Sequence, residues 1–245
     1  MTYCVGILLD EGVVLASDSR TNAGIDRVST FRKMFTFERP GERFFTLLTA
    51  GNLSLTQGVI SLIGEWLDSD DPEKDLYAAT SMFNAARIIG RALREVHKVD
   101  SGYLQQHDID FSASFVLGGQ VRGGKLRLFQ IYDAGNFIEA MGDTIYFQIG
   151  EVKYGKPILD RVLRRETTLK DAAKCALISF DSTMRSNVSV GPPIDLMIYR
   201  RDTLSRAFTI RLEEDNPYLQ ELREGWGTAL LNAFHTVGHD PGWVL

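Results

Sequence analysis

Apolar and polar positions alternate along the first third of the chain, and a period of two predicts strands. YCVGILL and VVLAS flank Asp10-Glu11-Gly12, which reads as a three-residue hairpin turn with glycine free to take positive φ. KMFTFE and FFTLLTA follow on either side of Arg39-Pro40-Gly41-Glu42, so the chain is expected to open with four antiparallel strands. The period then changes. Leu55, Val59, Leu62, Ile63 and Trp66 recur at helical spacing between Ser54 and Leu67, and SDDPEK ends that run. A second helix is predicted from Ala78 to Val99, with Met82, Phe83, Ala86, Ile89, Leu93 and Val96 on one stripe.

Strands return in FSASFVLGGQ and KLRLFQIYD, joined at Val121-Arg122-Gly123-Gly124, and then in TIYFQIG. Two helical stretches come next, one after Pro157 and one from about Thr168 with Leu169, Ala172, Ala173, Ala176, Leu177 and Phe180 inward. IDLMIYRRD and SRAFTIRL are the last strands, and Asp215 to His235 reads as a final helix. Strands grouped apart from paired helices imply an α+β domain with two antiparallel sheets packed together and helices outside. With no repeat, low-complexity tract or interdomain linker in view, residues 1–245 are expected to form one domain, carrying a C-terminal helix and tail from about 215.

Composition narrows the function without choosing it. At 245 residues and 44% hydrophobic, the chain can bury a large core. The net charge of -5 carries no long run of one sign, which excludes the footprint of a nucleic-acid or anionic-membrane binder. Cys4 and Cys175 lie in apolar segments without CxxC spacing and read as small core residues in a reducing compartment. The run Tyr3–Leu9 has neither the basic flank nor the cleavage site of a secretory signal, and no stretch reaches the roughly 20 apolar residues of a membrane span. The expected compartment is the cytoplasm.

The chemistry concentrates near the start. SDSR interrupts an otherwise apolar strand, as happens where a strand end enters a site, although a strand emerging into the solvated loop TNAGIDR gives the same pattern. A hairpin closed by Asp10–Gly12 would set Thr2 opposite Arg20, with Asp18 its diagonal neighbour about 7–8 Å away. A threonine hydroxyl is a weak nucleophile that needs a base, and an N-terminal threonine carries one in its own α-amine. That amine titrates near 8, so a modest neighbouring positive charge keeps part of it free at neutral pH. Met1 would have to be removed, which a small second residue permits.

Thr2, the strand GVVLASDSRTNAG with Asp18 and Arg20, Lys33 of FRKMF and Gly51 of LLTAGNLS together resemble the proteasome-type N-terminal nucleophile peptidases. MTYCVGILLDEG, STFRKMF, LTAGNLS and GEVKYGKPILDR look most like the bacterial Anbu branch, described as an ancestral β-subunit. The resemblance implies a four-layer α-β-β-α sandwich in which Thr2 attacks the scissile carbonyl. Lys33 would tune the nucleophile, Asp18 orient Lys33, and the Gly51 N–H stabilise the oxyanion. Two departures stand out. Glu151 follows Gly150 where such subunits have a serine, and Ser186-Asn187-Val188-Ser189-Val190-Gly191 replaces D-x-x-S-G-G, with Ser189 carried over as the remaining helper.

Other motifs read as bland. GEVKYGKP lacks the Ser or Thr of a phosphate loop, and Lys156-Pro157 is expected to begin a helix. His235 and His239 have zinc-like spacing without a carboxylate motif, His97 and His107 read as solvated, and Asn52-Leu53-Ser54 is a glycosylation acceptor with no secretory route. No cofactor or metal is expected. The reading is a threonine peptidase that takes peptides or unfolded protein and works as a large homo-oligomer, ring or ring-like, with an ATP-driven partner left open and no nucleic acid or membrane. The alternatives are a non-catalytic assembly or peptide-binding scaffold of the same fold, and an amidohydrolase acting on a small amide.

Overall fold

The computed structural model describes residues 2–22, 28–105, 111–205 and 207–238. Strands β1 (Tyr3–Leu8), β2 (Gly12–Asp18), β10 (Tyr146–Gly150), β11 (Ile194–Arg200) and β12 (Phe208–Leu212) form one antiparallel sheet in the order β10-β1-β2-β11-β12. A second antiparallel sheet runs β5 (Met34–Arg39), β6 (Arg43–Gly51), β7 (Ala113–Val121), β8 (Arg127–Ile131) and β9 (Phe137–Glu139). Helices α1 (Leu53–Trp66) and α2 (Met82–Gln105) cover the second sheet, while α4 (Leu169–Ser186) covers the first, with α3 (Lys156–Val162) and α5 (Pro217–Thr236) packed on α4. The layers are therefore α-β-β-α, as the sequence predicts.

Alternation along β1 explains why that strand is buried throughout. Tyr3, Val5 and Ile7 enter the core beneath α4, whereas Cys4 and Leu8 enter the core between the sheets. The inter-sheet layer admits little bulk: a Cβ on Gly6 would stand 2.8 Å from Val116 Cγ1 and 3.0 Å from Leu128 Cδ1. Local signals set the turns. Pro40 and Gly41 occupy the middle of the β5–β6 turn, where Gly41 has φ of 76° and Glu42 N–H donates to Arg39 O at 2.9 Å. Pro157 stands in the first turn of α3, Thr168 caps α4 by accepting Asp171 N–H, and Asn216 caps α5 ahead of Pro217.

The opening hairpin departs from expectation. Leu9 N–H donates to Gly12 O at 2.8 Å, so the turn has two residues, Asp10 and Glu11, instead of three. Leu8 pairs with Val13 and Cys4 with Ser17, which slips the register by one and sets Tyr3, not Thr2, next to Asp18 along the ladder. Only glycine fits at residue 12 against its other neighbour: a Cβ would lie 2.1 Å from Tyr199 O of β11. The segment after Asp18 is also not the plain solvated loop of the sequence reading, because β3 (Arg20–Asn22) pairs with β4 (Val28–Thr30). The short strand β9 has too few residues to register as a periodic signal and was not expected.

Candidate active site

Three segments bring their ends together at one mouth of the inter-sheet core. β1 begins there, β2 ends there, and Cys4 Sγ approaches Thr49 O at 3.6 Å, which sets the start of β1 beside the end of β6. The residues gathered at this mouth are polar and nevertheless buried: Thr2, Ser17, Asp18, Ser19 and Lys33. Burying such groups costs free energy unless partners are supplied. Most partners are present. Lys33 Nζ donates to Asp18 Oδ1 at 2.8 Å and to Arg20 O at 2.6 Å, and Tyr3 N–H donates to the same Asp18 Oδ1 at 3.1 Å.

Asp18 feels two opposed influences. Burial pushes its carboxyl above the usual carboxylate range, and the Lys33 ammonium with the Tyr3 N–H pulls it back. An ion pair of this kind gives little or no net stability against an apolar pair of the same shape, while either partner left alone is costly. The main chain fixes Lys33 from the other side, since Thr49 N–H donates to Lys33 O at 2.9 Å. The lysine is thus locked between β2 and β6. Ser19 adds a brace, with Oγ donating to Pro193 O at 2.6 Å and its carbonyl accepting Phe31 N–H at 2.9 Å.

Gly51 closes β6 with φ of 111°, and a Cβ there would lie 2.2 Å from Ser112 O, so both backbone and space demand glycine. Helix α1 starts immediately beyond. Asn52 caps it through Oδ1, accepting from Ser54 N–H at 3.0 Å and Leu55 N–H at 3.3 Å, which gives the supposed glycosylation residue a structural task. No acidic side chain stands in the first turn of α1, whose positive dipole end lies next to Gly51. Developing negative charge would be favoured at such a place.

Ser189 lies in the turn after α4, half-buried, with its N–H donated to Asn187 Oδ1 at 3.0 Å. The same turn reaches the cluster elsewhere: Val188 O accepts Arg20 Nη1 at 3.0 Å, and Gly191 N–H points at Asp18 Oδ2 from 3.5 Å. Thr2, Asp18, Lys33, Gly51 and the 187–191 turn therefore meet in one region. Sequence reasoning did not find the Glu151–Asn187 contact, in which Asn187 Nδ2 donates to Glu151 Oε2 at 3.1 Å, nor the Glu151 N–H that donates to Thr2 O at 2.6 Å. The available signal was Glu151 itself, a charged residue directly after a strand and next to a glycine.

A groove of about 760 Å³ runs along β5 from Arg32 and Met34 to Glu38 and reaches Asp195 and Arg211 of the facing sheet; Thr2, Asp18, Lys33, Gly51 and Ser189 are not among the residues that line it. The motifs read as bland behave so. α3 starts at Lys156 with Pro157 in its first turn, and Cys4 and Cys175 are buried free thiols. His97 is better anchored than a solvated residue, with Nε2 at 3.0 Å from Asp133 Oδ1 and its ring edge-on to Phe111. His107 and His239 lie outside the described residues. Among the described residues no helix is long and apolar enough to cross a membrane.

Comparison with solved structures returns strong matches along nearly the whole chain. A Gly-1 mutant of Anbu from Hyphomicrobium sp. strain MC1 is 48% identical, with a TM-score of 0.91 over 98% of this chain and 99% of that one. Anbu (ancestral beta-subunit) from Yersinia bercovieri is 50% identical, with a TM-score of 0.91 over 97% of this chain and 98% of that one. The Anbu complex of Pseudomonas aeruginosa, solved as a helical assembly, is 47% identical, with a TM-score of 0.92 over 98% of both chains. No protein-family model matches the chain, and no curated protein does.

Proposed function

The chain belongs to the Anbu family of ancestral β-subunits, and on that premise we propose that it is a threonine peptidase of the proteasome type, formed as one domain and active after removal of Met1. The observation that carries the proposal is the Asp18–Lys33 pair, buried at the mouth where β1 begins and shared with the N–H of the residue after Thr2. A fold has no use for this pair as a source of stability. A hydroxyl nucleophile does have use for a fixed cation nearby.

In the proposed reaction the Thr2 α-amine takes the hydroxyl proton, Oγ attacks the peptide carbonyl, and the tetrahedral oxyanion forms against the Gly51 N–H. Collapse releases the amine half of the peptide, carrying the proton, and leaves an ester on Thr2. Water, deprotonated by the same α-amine, then hydrolyses the ester. Lys33 supports the alkoxide as it develops, and Asp18 keeps Lys33 aimed. Ser189 acts from the 187–191 turn, which stands against Asp18 and Arg20.

A peptide or unfolded chain is the substrate class this reading assigns, and the working form is a homo-oligomer, in keeping with the helical assembly of the Pseudomonas aeruginosa relative. The test is turnover of a fluorogenic peptide series by wild type and Thr2→Ala. Hydrolysis by the wild type and none by the variant is expected, with sedimentation unchanged. Equal turnover by both would remove Thr2 from the reaction, and turnover of small amides alone would move the reading to an amidohydrolase.

A further inference from the structure

Strand β5 ends its sheet on one side, with β6 as its one partner strand among the described residues. Thr49 N–H donates to Lys33 O at 2.9 Å, so residues 33 and 49 face each other as a hydrogen-bonded pair. Such pairs alternate with non-hydrogen-bonded ones along an antiparallel ladder. Phe35 with Leu47 and Phe37 with Phe45 therefore direct their backbone groups at β6, while the N–H and C=O of Met34, Thr36 and Glu38 point to the open edge. Among the described residues no hydrogen bond reaches those edge groups.

The groove of about 760 Å³ lies along this edge, and its size falls within the roughly 300–1,000 Å³ of ligand sites. Leu196 of β11, Thr209 and Arg211 of β12 and Ile60 of α1 line it together with β5. The facing sheet thus walls a slot beside a row of free backbone donors and acceptors. Arg211 is committed to Asp195, with Nη2 donating to Oδ2 at 3.1 Å. Arg32 and Glu38, which line the groove just before β5 and near its end, make no ion pair among the described residues. Six residues of extended chain separate them, a span of about 20 Å.

We propose that this groove is a peptide-binding site separate from the catalytic cluster. An extended polypeptide segment adds to β5 as an antiparallel strand and pairs with the free N–H and C=O of Met34, Thr36 and Glu38. A basic side chain at its start meets Glu38, and an acidic one six residues later meets Arg32. Between them, side chains on alternate faces lie beside Phe35 and Ile60 or beside Leu196. A small molecule could use neither the row of backbone groups nor both charges at once. The proposal does not rest on the peptidase reading, because none of the residues assigned to the reaction lines the groove.

The test is fluorescence anisotropy with a labelled, capped heptapeptide, Lys-Val-Thr-Val-Thr-Val-Asp, and its charge-exchanged counterpart, Asp-Val-Thr-Val-Thr-Val-Lys. Binding is measured on Thr2→Ala, so that cleavage does not consume the probe. The first peptide is expected to bind several-fold more tightly than the second, and adding Arg32→Glu with Glu38→Lys should reverse that order. Thr36→Pro removes an edge N–H that β6 does not use, which an edge strand tolerates. It should weaken binding roughly tenfold with the melting temperature near that of the parent.

Equal binding of the two peptides, or none below about 1 mM, overturns the proposal. If Thr36→Pro fails to fold, the charge exchange decides alone. Peptide binding that lowers the sedimentation coefficient also overturns it, by assigning the groove to contact with a second copy of the chain. Intact binding with no turnover of any peptide by the wild type would contradict the peptidase reading and leave this site standing.

Discussion

The two ends of the β1–β2 hairpin are built from the same two strands and solve opposite problems. At the turn end, Leu8, Leu9 and Val13 are buried among apolar neighbours, and only Asp10 and Glu11 reach water. At the open end, Thr2, Ser17, Asp18, Ser19 and Lys33 are buried just as deeply, and each polar group has to be satisfied or tolerated. Ser17 Oγ is tolerated: it is buried with no hydrogen-bond partner among the described residues. Free energy of folding comes from the first end, since burying one Leu or Val side chain contributes roughly 1.5–3 kcal/mol. The second end absorbs some of that gain, and the chemical task proposed for it supplies a physical reason to keep it. Buried charge where leucine would fit is what the proposed site has and the apolar end lacks.

The largest effect is expected at Thr2. Thr2→Ala should reduce peptide turnover by roughly a thousandfold or more while leaving the melting temperature almost unchanged. Loss of folding instead would mean that the open end is structural after all. Lys33→Met should lower turnover by roughly a hundredfold and also destabilise, by about 3–5 kcal/mol, because Asp18 stays buried without its cation. Adding Asp18→Asn to Lys33→Met should return most of that stability, read by urea unfolding, and none of the activity. If the double variant is no more stable than Lys33→Met alone, the charge argument is wrong.

At the apolar side the order reverses. Leu15→Ala, in the inter-sheet core, should cost about 2–5 kcal/mol in urea unfolding and leave the turnover of the remaining folded protein near wild type. A large kinetic effect there would show that the two ends are coupled more tightly than their packing suggests.

Acid titration sharpens the contrast more gently. Burial raises the Asp18 carboxyl above its usual range, so the Asp18–Lys33 pair should be lost at a higher pH than an exposed pair would be. Turnover should therefore fall on the acid side before ordinary aspartates protonate. Stability from this one group moves the other way: a raised folded pKa adds stability below the unfolded pKa and loses it as pH rises through the folded value. Asp18→Asn should flatten that contribution in melts from pH 3 to 7, a range chosen as roughly spanning carboxylate titration. The smallest effect belongs to the thiols. Burial pushes Cys175 up to about 11, and Cys4 is raised further, so neither should react with iodoacetamide at neutral pH in the native protein, and both should in urea.

The layers of the fold were legible because each element announces its own period and punctuation: Pro40-Gly41 fixes the β5–β6 turn, Thr168 the start of α4, and Pro217 the start of α5. The register of the first hairpin was not. Asp10-Glu11-Gly12 permits a two-residue or a three-residue closure, and in the closure adopted Gly12 packs so close to Tyr199 O that no Cβ fits, a contact 187 residues away in the chain that no local signal encodes. The same limit governs the site. Thr2, Asp18, Lys33 and Gly51 stand out as residue types in order, and the slipped register still brings Asp18 to the cluster, through the Tyr3 N–H and not through a diagonal with Thr2. Asn187 could not be chosen from its neighbours in SNVS, because its importance lies in a bond to Glu151, 36 residues earlier.

The most direct test of the central claim is the intact mass of the purified protein before and after incubation with a peptide epoxyketone, which needs both a free α-amine and an activated hydroxyl on one residue. The account predicts a mass lacking Met1 and a single adduct that maps to Thr2 and is absent from Lys33→Met. A mass that retains Met1, with no adduct formed, would contradict it.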